Sequence, residues 1–159
     1  MIAKAVATLG YVGLLTPASG TWGSLLALPL GWLAMQGGPF FFTLLAILVL
    51  PVGYWATSVA TRGATDHDPS EVVIDELLGQ WVALMPVAWG AWAAGVPVTA
   101  LWPGWIVAFV LFRVFDIWKP GPVGWLDRRN DVWGVMLDDA VAGAMAAGGV
   151  VLLAGLAHL

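Results

Sequence analysis

Residues 25–35, 39–60, 77–112 and 140–157 contain no charged side chain, and that property decides the solvent in which this chain folds. A helix needs about 20 apolar residues to cross a hydrocarbon layer about 30 Å thick. The third stretch is long enough for two crossings and is broken by Pro86, Pro97 and Pro103. Only 10% of the 159 residues are charged and 60% are hydrophobic, whereas a soluble domain carries about 25% charged residues. The chain therefore reads as one membrane-embedded domain, residues 1–159. Its expected fold class is all-α, a polytopic helical bundle of four to five helices near 21–36, 40–62, 69–94, 100–118 and 137–157. Gly37-Gly38-Pro39 and Gly95-Val96-Pro97 read as tight turns. Lys119-Pro120-Gly121-Pro122 ends the fourth helix, because proline disfavours helix in the residue before it, and residues 119–136 read as one long polar connection. No basic-then-apolar leader with a small-residue cleavage site opens the sequence, so no removable signal is expected.

The charges are segregated. Apart from Lys4 and Arg62, every charged residue falls within 66–76 or 113–139. Counting crossings puts the segment before residue 21, the 62–70 loop and the 117–136 loop on one side. All six Lys and Arg lie on or near that side and none lies in the opposite turns, which is the positive-inside pattern. The acidic site is thus expected to face the cytoplasm, with His158 across the membrane. How residues 1–20 meet the bilayer is left open.

Several residue patterns have structural readings. Ala140, Ala144 and Gly148 recur every four positions and suggest close helix approach. Trp22, Trp81, Trp102, Trp105, Trp118, Trp125 and Trp133 fall near helix ends, as interfacial anchors do. The absence of cysteine excludes disulfides, thiolate metal sites and a cysteine nucleophile. No basic stripe is present, so a nucleic-acid partner is not expected; a homo-oligomer is compatible with the sequence.

The ten carboxylates carry the chemistry. An Asp at mid-bilayer costs roughly 2.5–3.5 kcal/mol on insertion scales, so acids beside apolar segments call for a cation or a reaction. Asp68-Pro69-Ser70-Glu71 matches a helix capping box. Asp66-His67-Asp68 also reads as the DxD of an aspartyl-phosphate phosphatase, but the buried strand and Rossmann-like repeat of that chemistry are missing. Asp75 and Glu76 sit inside an apolar run, with Glu71 and Asp75 four apart on one face. Asp138-Asp139 open the last helix; one is a candidate N-cap, and two exceed that need. Bringing these pairs together creates like-charge repulsion that a cation relieves, and hard oxygen donors without Cys or a usable His suit Mg²⁺. Arg113, Asp116 and Lys119, spaced i, i+3, i+6, read either as a charge ladder or as Asp116 joining the metal site with the cations facing a phosphate. Arg128 either orients the protein or reaches an anionic headgroup. Gly20-Thr21-Trp22-Gly23-Ser24 reads either as an ordinary capped helix start or as a set of amide and hydroxyl donors suited to phosphate. His67 reads as solvated and His158 as incidental.

Taken in order, Gly20-Thr21-Trp22-Gly23-Ser24, Asp68 through Asp75-Glu76, Phe112-Arg113-Val114-Phe115-Asp116-Ile117-Trp118-Lys119-Pro120, Asp127-Arg128 and Gly134-Val135-Met136-Leu137-Asp138-Asp139 with Ala142-Gly143 resemble the phosphatidylglycerophosphatase A family. The resemblance spans nearly the whole chain. It departs at Asn130-Asp131-Val132-Trp133, where the family tends to a glycine-rich run. It implies a Mg²⁺-dependent enzyme of the bacterial inner membrane that hydrolyses phosphatidylglycerophosphate to phosphatidylglycerol and inorganic phosphate. Asp75, Glu76, Asp116, Asp138 and Asp139 are then the expected catalytic residues. Asp68, Asp75, Glu76, Asp138 and Asp139 are the expected metal ligands, and Thr21, Ser24, Arg113, Lys119 and Arg128 are expected to bind the substrate. Elimination agrees, since metal-assisted hydrolysis remains once cysteine is absent and only His67 and His158 are available. A small ion-coupled transporter is the alternative, and it predicts acids spread through the membrane depth. A membrane scaffold is a third reading.

Overall fold

The computed structural model describes residues 1–63 and 69–157, so Asp66, His67, Asp68 and His158 lie outside the described residues. Among the described residues, seven α-helices follow one another: α1 (Ile2–Ala7), α2 (Ser19–Met35), α3 (Pro39–Ala60), α4 (Ile74–Ala94), α5 (Trp102–Trp118), α6 (Pro122–Asp127) and α7 (Val132–Ala157). Short 3-10 turns stand at Val12–Leu14 and Val98–Leu101. Four helical segments, Pro39–Ala60, Ile74–Ala94, Val98–Trp118 and Val132–Ala157, are long and apolar enough to cross a membrane. With 17 residues, α2 is about 25 Å long and packs beside α4. The six-residue α1 rises about 9 Å, too little to cross, and packs on α3.

The axis of the bundle is α4, which packs against α2, α3, α5 and α7. Its approach to α7 is glycine-mediated. A Cβ on Gly143 would collide with the backbone of Gly79, and one on Gly79 with the Asp139 carbonyl and the Phe112 ring. Bare backbones therefore touch where side chains would hold the helices apart. Gly95 ends α4 in the left-handed conformation, φ 65°, and Gly38, φ 87°, precedes Pro39 at the start of α3.

Four sequence expectations need correction. First, the third expected helix begins at Ile74 and not at 69. The backbone of 69–73 is engaged elsewhere: Val72 N–H donates to the Pro69 carbonyl (2.8 Å), Val73 N–H to the Ala7 carbonyl (2.9 Å) and Ser19 Oγ to the Ser70 carbonyl (2.5 Å). Glu71 accordingly leaves the helix face it was expected to share with Asp75 and pairs with Lys4 at 3.0 Å. Second, α7 begins at Val132 and not at 137, because Asp131 Oδ1 accepts the Gly134 N–H at 2.7 Å, the N-cap arrangement. Asp138 and Asp139 thus lie in the second turn, and the 119–136 connection contains α6. Third, the small-residue stripe is not the packing seam: Ala144 and Gly148 are exposed and nothing approaches the Gly148 position. Gly143, on the adjoining face, takes that role. Fourth, Trp81 is buried core, with its indole N–H on the Ala27 carbonyl at 2.9 Å. Trp22, Trp102, Trp118, Trp125 and Trp133 are exposed, as anchors should be, and Trp105 is half-buried.

Candidate active site

The start of α2, the start of α4, the end of α5 and the start of α7 meet at one end of the bundle. Each delivers polar side chains from its terminal turns, where the apolar pattern gives way to charge. Asp75 and Glu76 occupy the first turn of α4, where the helix dipole favours negative groups. Asp116 precedes the end of α5 by two residues. Asp75, Glu76, Asp116, Asp138 and Asp139 are all buried, and all five line one cavity of about 240 Å³ together with Ser19, Gly20, Ser70, Val72, Ile117 and Lys119.

Three of these acids converge. Carboxylate oxygens of Glu76, Asp116 and Asp139, one from each of three helices, lie within 4.8 Å of one another. Arg113 holds two of them: its Nη1 donates to Glu76 Oε2 at 2.5 Å and forms an ion pair with Asp116 Oδ2 at 2.9 Å. Ser24 is fully buried, and its Oγ lies 2.8 Å from Glu76 Oε2 and 2.9 Å from the Gly20 carbonyl. Gly20 makes room for this arrangement, since a Cβ there would overlap Glu76 Oε1. Asp138 faces the other cation, with Lys119 Nζ 3.0 Å from its Oδ2 and also paired to Asp127. Burial pulls the Lys119 ammonium down, but the hydrogen bond to Asp127 and the charge of Asp138 outweigh that pull and hold it above the ordinary lysine range. Lys119 adopts the left-handed conformation, φ 49°, at the end of α5, and this aims a non-glycine side chain back into the cavity.

Five buried carboxylates face two cations, Arg113 and Lys119, an excess of three negative charges if all are ionised. An interior does not hold that excess without compensation, and three converging oxygen donors, with no sulfur or histidine nitrogen donor among the described residues, fit a hard divalent ion.

The expected site residues are brought together unequally. Glu76, Asp116 and Asp139 form the centre, with Asp75 and Asp138 beside them on the cavity wall. Asp116 therefore sits with the oxygen cluster, whereas Asp75 and Asp138 flank it. Asp68 is outside the described residues. Arg113 lies behind the carboxylates and is engaged by them, and Lys119 is the cation that lines the cavity. Thr21 is half-buried in the first turn of α2, and Arg128 is exposed at the end of α6; neither lines the cavity. Ser19 and Ser70 were not foreseen. Both are common loop residues, and their only sequence signal is proximity to Gly20 and Glu71.

The sequence model of the phosphatidylglycerophosphatase A family matches residues 5–154. The phosphatidylglycerophosphatase A of Escherichia coli (strain K12) is 34% identical over 144 residues, covering 88% of this chain and 77% of that protein. The phosphatidylglycerophosphatase A of Haemophilus influenzae is 34% identical over 137 residues, 84% of this chain and 77% of its own. A Bacteroides thetaiotaomicron protein bearing the provisional name phosphatidylinositol-3-phosphatase is 37% identical over 133 residues, 79% of this chain and 77% of its own. No solved structure matches the chain.

Proposed function

The chain belongs to the phosphatidylglycerophosphatase A family, and from that premise we propose that it hydrolyses phosphatidylglycerophosphate to phosphatidylglycerol and inorganic phosphate with the aid of Mg²⁺. Family membership makes it a lipid phosphatase. The reaction serves phosphatidylglycerol and cardiolipin synthesis in the bacterial inner membrane, with the cavity on the cytoplasmic side. The positive-inside count supports that orientation, because Lys4, Arg62, Arg113, Lys119, Arg128 and Arg129 accompany the acids while the far turns are uncharged.

The observation that carries the reading is the convergence of Glu76, Asp116 and Asp139 in a cavity that Lys119 also lines. These three carboxylates would hold the cation. When bound, it supplies polarisation of the phosphoryl oxygens and offsets the charge that develops on them. Lys119 holds the phosphomonoester, and Arg128 lies further out, where a headgroup passes. Asp75 and Asp138 orient and deprotonate the attacking water. Its oxygen bonds to phosphorus, the phosphorus–glycerol oxygen bond breaks, and the departing oxygen takes a proton. Arg113 and Ser24 keep Glu76 in place throughout. The acyl chains stay in the bilayer beside Ile117, which is 70% exposed next to Asp116.

The test is phosphate release from phosphatidylglycerophosphate in mixed micelles with Mg²⁺, comparing wild type with Asp116→Asn and Asp139→Asn. Each variant should lose about 10²–10³-fold in rate, the scale of removing one group that stabilises transition-state charge, while eluting as wild type does on size exclusion. Wild-type rates in both, or cation uptake into liposomes without phosphate release, would overturn the assignment.

A further inference from the structure

Gln80 follows Glu76 by one turn of α4 and lies on the same face, yet its side chain is fully buried and, among the described residues, neither Nε2 nor Oε1 meets a hydrogen-bonding partner. The buried Nε of Arg113 is likewise unmet. Unmet polar atoms are rare in protein interiors because water satisfied them before folding, and a leucine of similar size would fill this position without that cost. One group is a donor lacking an acceptor, and the other offers an acceptor lacking a donor.

Two contacts put them at the same level of the bundle. A Cβ on Gly79 would run into the Phe112 ring, so the α4 turn that carries Gln80 abuts the α5 turn that leads into Arg113. Arg113 Nη1 in turn reaches Glu76 Oε2 at 2.5 Å. We propose that one buried water bridges the Arg113 Nε–H to Gln80 Oε1, which so serves as a positioning residue beneath the carboxylates. Nη1 has two hydrogens and three oxygen neighbours, Glu76 Oε2, Asp116 Oδ2 and Ser24 Oγ, at 2.5, 2.9 and 3.3 Å. A small rotation of the guanidinium trades one acceptor for another and swings Glu76 relative to Asp116. An acceptor on Nε stops that rotation, because the guanidinium is planar and its donors move as a unit. Gln80 thereby sets the spacing of the oxygen donors without touching the substrate.

The inference rests on the carboxylate cluster being the cation site proposed above. The experiment measures phosphate release against Mg²⁺ concentration, Mg²⁺ affinity by titration calorimetry, and the thermal midpoint of the purified protein in detergent. Gln80→Leu should weaken Mg²⁺ affinity and raise the Mg²⁺ requirement by about 10–100-fold, the usual effect of removing a group that orients metal ligands. The lipid KM and thermal midpoint should not fall. In an Arg113→Lys background, which has no Nε donor, the same substitution should add little. Gln80→Met repeats the comparison should the leucine variant fail to fold. Unchanged Mg²⁺ affinity in a folded Gln80 variant, or additive losses with Arg113→Lys, overturns the proposal while leaving the phosphatase reading intact. Absence of Mg²⁺-dependent phosphate release in wild type overturns both.

Discussion

Gly143→Ala should disable the site from a distance, and the size of the effect follows from the contact between α4 and α7. An added Cβ would lie 2.9 Å from the Gly79 carbonyl carbon and 3.1 Å from its Cα, and nearer still to the carbonyl oxygen. All three are backbone atoms, so no side chain can swing aside. Restoring ordinary contact near 3.5–4 Å requires the helices to part by about 1 Å. Glu76 is three residues before Gly79 on α4, and Asp139 is four before Gly143 on α7, so nearly all of that displacement reaches two carboxylates whose oxygens lie within 4.8 Å. A misplacement of about 1 Å costs about 10²-fold in rate, and overpacking of this kind costs about 1–3 kcal/mol in stability. The assay is phosphate release with saturating lipid and Mg²⁺, alongside a thermal melt in detergent. Gly148→Ala is the control on the same helix: nothing lies within 4 Å of a Cβ there, so rate and melting temperature should match wild type or rise slightly with helix propensity. Equal activities for the two variants would refute the claim that the Gly79–Gly143 contact sets the carboxylate geometry.

Three further substitutions test single links. Ser24→Ala removes the hydroxyl 2.8 Å from Glu76 and should lower stability by about 1–2 kcal/mol, read as a shift in the thermal midpoint, with a reduced rate because Glu76 then relies on Arg113 alone. Because folding raises the Lys119 ammonium above its ordinary 10.5, its ion pairs contribute fully below that pH and are lost as pH climbs through the higher folded value. The melting-temperature gap between wild type and Lys119→Met should therefore stay flat from about pH 7 to about pH 10 and shrink above it. Asp131→Ala deletes the cap on Gly134 and should cost about 1 kcal/mol in a thermal melt with kcat unchanged, since Asp131 does not line the cavity.

The long apolar helices were legible in the sequence because they rest on composition and punctuation alone: uncharged runs between Gly-Pro turns and a Lys-Pro stop. Helix starts were less legible, because competing partners set them. Nothing local in Pro69–Val73 announces that Ala7 and Ser19 will claim its backbone, and nothing local singles out Asp131 as the residue that caps the Gly134 N–H. The site was legible as a set of residues but not as a geometry. Adjacent acids on a helix point about 100° apart, so only one of each pair faces the centre. A soluble helix reveals its inward face through its polar side, but a membrane helix is apolar toward lipid and toward protein alike. The small-residue stripe at Ala144 and Gly148 misled for that reason. The rotation of α7 is fixed by Gly143 against Gly79, and this turns Asp139 toward Glu76 and Asp116 while Asp138 meets Lys119.

The same geometry weighs between an interfacial hydrolase and the ion-coupled transporter that the acidic pairs alone would allow. A transporter needs polar groups at successive depths, since an ion cannot rest in hydrocarbon between them. Beyond Glu76, α4 continues to Ala94 without a charge; beyond Asp139, so does α7 to Ala157; and α5 is uncharged from Trp102 to Leu111. Gln80 extends the polar column by only one turn and is itself fully buried. Another cavity, about 420 Å³, is lined at the far end by Trp32, Trp92 and Val98 among others, and none of its lining side chains is ionisable. Ions entering at the carboxylates would meet no further charged side chain along these helices. On the proposed reading a lipid phosphomonoester needs nothing deeper, because its acyl chains lie in the surrounding lipid and only the headgroup enters the cavity that Asp116 and Lys119 line. The depth at which charge stops along these helices is therefore the structural feature that favours hydrolysis at the membrane surface over passage through it.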